Sequence, residues 1–312
     1  MENNFERNEF ILNSHDESKI YCYRWYNPEL KSPKGVLQIA HGMAEHALRY
    51  ENFAKFLVTN GWEVWANDHR GHGKTAGAFE NLGFFAEEDG WIKVVDDLKV
   101  LNDKIKSQFK NTKIVLMGHS MGSFLVQTFI ERYPDAVSYV ILSGTAGDPG
   151  VLGNVGIILT NISKILRHGK KKDYLMDALS FGKYNNEFKP NKTKFDWLSR
   201  DEAEVKKYID DPYCGFVCTT SFFNDLLKGI KNNFNKENLL KINKNLKIYI
   251  FSGEKDPVGE NTKSVISLIN LYKNLGINNI EYKFYKDGRH EMLNEINKEE
   301  VYKDILNWLN KE

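Results

Sequence analysis

The sequence predicts an α/β fold, a mostly parallel sheet flanked by helices with an inserted helical cap. Three observations carry this. Short apolar, β-rich runs alternate with amphipathic runs at helical spacing. The alternation stops after Gly144 and resumes near Leu246. A Gly-x-Ser-x-Gly pentapeptide, Gly118 to Gly122, stands at one strand-to-helix junction.

The runs follow in order. EFILN and KIYCYRWY come first and read as an antiparallel pair at a sheet edge. GVLQIAHG (35–42) is a buried-strand candidate, and RYENFAKFLVTNG (49–61) follows with helical spacing and a glycine stop. WEVWAND (62–68) is the next strand and residues 90–109 the next amphipathic helix. Then come TKIVLMG (112–118), a helix from Ser120 to Tyr133 stopped by Pro134, and AVSYVILSG (136–144). After a mainly helical stretch the rhythm returns as LKIYIFSG (246–253), a helix over 262–275, IEYKFYK (280–286) and a closing helix over 298–310. Strands alternating with helices mean βαβ units and parallel pairing. The expected organisation is one core, residues 1–145 and 237–312, with a helical cap, residues 146–236, inserted at the sheet edge where ligands bind. No fixed-period repeat is present.

Composition narrows the function classes. The 312 residues are 41% hydrophobic and 27% charged, an ordinary globular balance. The formal net charge is +1, so no bulk positive field exists to hold a nucleic acid. Three cysteines, Cys22, Cys214 and Cys218, are too few for a disulfide scaffold. The acidic start lacks an apolar block, and no stretch approaches about 18 uninterrupted apolar residues. The expectation is a soluble, cytoplasmic protein.

The chemistry-bearing residues lie where strands end. In a nucleophile elbow the serine sits on a tight, strained turn between a strand and a helix, and the flanking glycines avoid a clash. Ser120 fits as the nucleophile, between TKIVLM and SFLVQTFIERY. A serine hydroxyl needs a base. His290 stands just past the last strand, after a glycine that permits a sharp exit. The base needs an acid to fix its tautomer. Asp256 follows LKIYIF and precedes Pro257, which stiffens its loop; Glu254 is the alternative. The chain order Ser120, Asp256, His290 matches one known serine-triad order. Two backbone donors for an oxyanion are expected at Met121, directly after the nucleophile, and at Met43, after the strand ending at Ala40. No metal or organic cofactor is expected. His41 and His46 are five apart, without the His-Glu-x-x-His arrangement of a zinc helix. Cys214 and Cys218 read as buried small residues. Asp68, His69 and Arg70 read as loop-fixing hydrogen bonders in preference to substrate contacts.

Four segments carry a resemblance: HGMAEHALRY (41–50), NDHRGHGKT (67–75), GHSMGS (118–123), and SGEKDPV paired with GRHE. They resemble the α/β-hydrolase superfamily, and within it the monoacylglycerol lipase and lysophospholipase (serine aminopeptidase-like) branch. The resemblance covers nearly the whole chain. Thr75 and Ser123 depart mildly from that pattern, and NKTKFDWLSRDEAEVKKYIDDPYCGF looks like the return from cap to core. The resemblance implies the same roles for Ser120, Asp256, His290, Met43 and Met121, and a cap over an acyl-chain tunnel. The implied activity is hydrolysis of a carboxylic ester with one long acyl chain, monoacylglycerol or lysophospholipid.

Residues 150–172 start apolar and end basic at Arg167 and Lys170 to Lys172. A cap helix packed on the core is the preferred reading, with transient membrane-surface contact as the alternative. A peptidase releasing N-terminal residues is the nearest enzymatic rival; Asp148, Asp173 or Asp177 would hold the substrate's ammonium. A small-pocket carboxylesterase is a further one. A catalytically silent ligand binder is the rival from another class, and the intact serine, aspartate and histidine argue against it. No sequence feature defines an oligomeric state.

Overall fold

The computed structural model describes residues 4–167 and 169–311. The first strands are β1 (Glu6–Asn13) and β2 (Lys19–Tyr26), then β3 (Gly35–Ala40), helix α1 (Glu51–Thr59), β4 (Glu63–Asn67) and α2 (Gly90–Gln108). β5 (Lys113–His119), α3 (Met121–Arg132) and β6 (Tyr139–Ser143) follow. Next come α4 (Gly150–Arg167), α5 (Tyr174–Phe181), α6 (Glu202–Asp210), α7 (Thr220–Asn232) and the short α8 (Lys236–Leu239). β7 (Lys247–Gly253), α9 (Lys263–Asn274), β8 (Ile280–Tyr285) and α10 (Lys298–Leu309) complete the chain.

The eight strands form one sheet in the order β1-β2-β4-β3-β5-β6-β7-β8. β1 pairs with β2, and β2 with β4, antiparallel; every later pair is parallel. The parallel strands β3 to β7 are largely buried on both faces, which is why their sequences are mostly apolar, whereas the edge strand β8 is half exposed. Side chains alternate between two cores, as a pleated strand requires. Val115, Met117, Ile141, Tyr249 and Phe251 pack with α1 and α10, whereas Leu116, Val140, Leu142, Ile248 and Ile250 face α2, α3 and α9.

Two boundaries moved for identifiable reasons. The helix expected from residue 49 starts as a 3-10 turn over Ala47–Tyr50, because the Asp68 carboxylate accepts the Ala47 N–H at 2.9 Å and holds the chain before α1. The strand expected from residue 136 begins at Tyr139, because the Ala136 N–H closes a turn onto the Tyr133 carbonyl at 2.9 Å.

Between β6 and β7 the described residues hold helices and one isolated bridge, Lys172 to Thr219. α7 buries Phe222 and Phe223 in the same core as Val94 and Leu125. Asn233, just past it, accepts from Thr128 Oγ1 at 2.6 Å and donates to the Phe124 carbonyl at 2.9 Å. α4 instead leaves Val151, Val155, Ile158 and Ile162 exposed along one stripe, and α5 leaves Tyr174, Leu175 and Leu179 exposed. The Arg167 side chain lies outside the described residues.

α3 carries the segment after Ser120, so its seating fixes the site. Leu125 is fully buried there. Leu125→Ala is expected to cost about 2–5 kcal/mol, read as a lower urea midpoint. A cost below about 1 kcal/mol would contradict this packing.

Candidate active site

Ser120 joins β5 to α3 with φ 52 and ψ −121, a conformation that side-chain-bearing residues rarely adopt. Backbone bonds hold it there. Its N–H donates to the Ser143 carbonyl at 2.9 Å, and its carbonyl accepts the Ser123 N–H at 2.8 Å and Ser123 Oγ at 2.6 Å. Ser123 therefore has a use that its departure from the family pattern did not suggest. The flanking glycines are sterically required: a Cβ on Gly118 would lie 2.3 Å from the Gly122 carbonyl oxygen, and one on Gly122 would lie 2.1 Å from that of Ala40.

His290 and Asp256 meet behind this turn. His290 Nδ1 lies 2.9 and 3.0 Å from the two carboxylate oxygens of Asp256. Asp256 is fully buried; it also accepts the Val258 N–H at 2.9 Å and Ser252 Oγ at 3.2 Å, so the carboxylate is aimed. Glu254, the alternative acid, is exposed. Burial alone would push the His290 pKa down. The Asp256 charge and hydrogen bond, with Glu291 and Glu45 nearby, more than offset burial and hold it above its ordinary value. His119, with its ring centroid 4.7 Å from that of His290, is pushed down to about 4 by burial and by the neighbouring imidazole, so it stays neutral.

The loop after β3 comes alongside. A Cβ on Gly42 would lie 3.3 Å from Ser120 Cβ, so its backbone is close to the serine. The Gly42 N–H donates to Glu45 Oε1 at 2.5 Å. Arg49 then bridges two acids: Glu45 at 2.6 Å and, through both arms of its guanidinium, Glu291 at 2.7 Å. Burial would raise the Glu291 pKa, but Arg49 brings it down to about 2. Ala44 has φ 53, with its N–H donating to His72 Nε2 at 3.2 Å. Its carbonyl accepts Tyr208 Oη at 3.0 Å and the Gly215 N–H at 2.9 Å. Met43 thus lies between two fastened residues. Burial first, then mutual repulsion, pushes the pKa of His41 down and that of His69 to about 3; burial pushes that of His72 to about 4, leaving an uncharged acceptor for Ala44.

A cavity of about 450 Å³ is lined by Ser120, His290, Met43, Glu45 and His119, with Phe181 from α5, Tyr208 from α6, and Phe195, Trp197 and Phe216 from the turns and loops between β6 and β7. The segment around Trp197 docks on His290: the Trp197 and His290 ring centroids are 5.0 Å apart, and the His290 and Glu291 N–H groups donate to the carbonyls of Trp197 and Leu198 at 3.3 and 2.7 Å. Ser120, His290 and Met43 line the cavity itself; Asp256 is buried behind His290, and Met121 is the buried first residue of α3.

Sequence reasoning missed Arg49, His72 and Tyr208. All three stand inside quoted segments, but their partners are distant in sequence. Asp68 accepts from Ala47, Lys74 and Tyr23, and Arg70 pairs with Asp16 and Asp97, so both fix loops. Of the three acids considered for an ammonium, Asp148 pairs with Lys231, Asp173 caps α5, and Asp177 lines the cavity.

Comparison with known proteins identifies the family and the fold. The profile of the family described as serine aminopeptidase, S33, matches residues 31–297. The chain is 26% identical over 279 residues to a monoacylglycerol lipase of Mycolicibacterium smegmatis, covering 89% of this chain and 88% of that one. It is 30% identical over 198 residues to the monoglyceride lipase of Homo sapiens, covering 63% and 57%. Its fold is similar to that of a thermostable carboxyl esterase from Bacillus coagulans, with TM-score 0.88, 24% identity and coverage of 97% and 98%. It is also similar to a soluble variant of monoglyceride lipase from Saccharomyces cerevisiae, with TM-score 0.74, 18% identity and coverage of 96% and 94%. The chain belongs to the family described as serine aminopeptidase, S33, and its fold is that of an α/β-hydrolase.

Proposed function

We propose that this protein is a carboxylic ester hydrolase acting on single-acyl-chain lipids, monoacylglycerol first and lysophospholipid second. The observation that carries the reading is the shared cavity: Ser120 and His290, the latter bonded to Asp256 behind it, line one pocket walled by aromatic side chains from the segment between β6 and β7. Such a wall suits an acyl chain better than a charged peptide.

Ser120 Oγ attacks the ester carbonyl as His290 Nε2 takes its proton. The oxyanion forms against the Met43 and Met121 N–H groups. His290 returns the proton to the leaving alcohol, and the acyl chain stays on Ser120. Water, losing a proton to His290, adds to the acyl-enzyme; the fatty acid leaves and Ser120 regains its proton. In this scheme the inserted segment is a cap over the acyl site. Its exposed stripe on α4, with the neighbouring α5 side chains and the exposed Lys171, is a face for transient contact with an anionic lipid surface. Among the described residues no helix is long and apolar enough to cross a membrane.

Aminopeptidase activity is the second reading, favoured by Asp177 in the cavity wall. A panel separates the two: monoacylglycerol, lysophosphatidylcholine, a short-chain ester and an aminoacyl arylamide. Selective fatty-acid release from a lipid is expected; cleavage of the arylamide alone would place the protein among the peptidases. Ser120→Ala is expected to lower kcat by several orders of magnitude, with residual turnover from the oxyanion donors. Unchanged turnover would remove Ser120 from the mechanism.

The pH profile gives a third expectation. His290 acts as base only when neutral, so kcat/KM falls as pH drops through its raised pKa. Asp256→Asn removes the largest interaction that raises it. The acidic limb should move to lower pH while kcat drops by a factor on the order of 10⁴. A limb that stays in place would mean that another group titrates.

A further inference from the structure

We propose that His46, Asp211 and Cys214 form a binding site for a zinc-class divalent cation, which would staple the core to the inserted helices. The inference rests on donor geometry and is independent of the ester hydrolase reading. One donor atom from each residue lies within 4.8 Å of the others. His46 Nε2 and Asp211 Oδ2 are 2.9 Å apart. Asp211 and Cys214 close one tight turn, in which the Cys214 N–H donates to the Asp211 carbonyl at 3.0 Å. Their side chains therefore rise from the same short loop after α6. His46 arrives from the loop after β3, 165 residues before Asp211. His41 Nε2 accepts the His69 N–H, and His46 turns to Asp211.

The donor set suits zinc. One imidazole nitrogen, one thiolate and one carboxylate leave the fourth tetrahedral position for water. Ordinary zinc bond lengths place tetrahedral donors about 3.4–3.6 Å apart, so the His46–Asp211 contact opens slightly and the thiolate closes in. Asp211 is already oriented: its Oδ1 accepts the Tyr213 N–H at 2.8 Å, and Oδ2 is the oxygen turned to His46. Access runs through a cleft of about 350 Å³ lined by His46, Asp211, Glu204 and Lys207; Lys207 is paired with Glu204. The Arg49 cation beside this cleft is bracketed by Glu45 and Glu291, so its charge is offset. Coordination is a ligand exchange without redox change. The thiol proton passes to solvent, and His46 binds through its Nε2 lone pair as the Nδ1–H tautomer.

The staple would act next to the reaction centre without joining it. Its turn continues into Gly215, whose N–H holds the Ala44 carbonyl, and His46 stands three residues after Met43.

Cobalt reports thiolate ligation directly. Full-length, chelator-stripped protein is titrated with Co²⁺, then with Zn²⁺ against a chromophoric chelator. A near-ultraviolet thiolate-to-cobalt charge-transfer band saturating at one equivalent is expected, with displacement by Zn²⁺. Cys214→Ser should lose the band, and His46→Gln and Asp211→Asn should bind zinc at least about 10-fold more weakly. Zn²⁺ should raise the Tm of the wild type and not that of Cys214→Ser. Metal-free circular dichroism matching the wild type separates lost binding from lost folding. Absence of the band in the wild type, or its persistence in Cys214→Ser, overturns the proposal.

Discussion

The strained backbone at Ser120 is the constraint on which the rest of the site depends. A serine at φ 52 is unfavourable by about 1–3 kcal/mol unless its surroundings over-determine it. They do so from three sides: the Ser143 carbonyl on β6, the Ser123 N–H and hydroxyl in the first turn of α3, and two glycines that let β3 and α3 approach to contact distance. The sheet order places β3 and β6 on either side of β5. Strain at one residue is thus held by the packing of three adjacent parallel strands and one helix.

The other half of the site is a clamp. The loop after β3, the loop after β8 and the segment returning from the inserted helices all touch one another. Arg49 joins Glu45 on the first loop to Glu291 on the second, and Leu198 and Trp197 on the third accept from the residues around His290. Ala44 is fastened by His72 from the core and by Tyr208 and Gly215 from the insertion. In the proposed mechanism this matters electrostatically. Two buried carboxylates and one guanidinium leave a net negative charge near His290, which favours the imidazolium formed during attack, while Arg49 limits its effect on the oxyanion. The segment between β6 and β7 is therefore a wall of the pocket and also part of what fixes its backbone.

Much of the fold was legible because burial on both faces makes a parallel strand an uninterrupted apolar run, as in GVLQIA, KIVLM and KIYIF. The elbow was legible for a local reason too: glycines and a turn-forced serine are close in sequence. Asp256 and His290 could be located from strand ends, since ligands gather where parallel strands finish. The pairs that fix the loops were not legible. Arg49 and Glu291 are 242 residues apart, and His72 and Ala44 are joined by a bond that no periodicity encodes. The sheet order, with β4 outside β3, and the burial of α7 in the main core also depend on long-range packing. Ser123, a departure from the family pattern, braces the turn at Ser120 through its hydroxyl.

The most direct test of the account is covalent labelling of the folded protein with a fluorophosphonate, followed by peptide mapping of the adduct. A serine activated by His290 in a preformed oxyanion site should react stoichiometrically at Ser120 and at no other serine, and folded His290→Ala should react slower by at least about 10³-fold. No adduct on Ser120, or equal labelling of the wild type and His290→Ala, would contradict it.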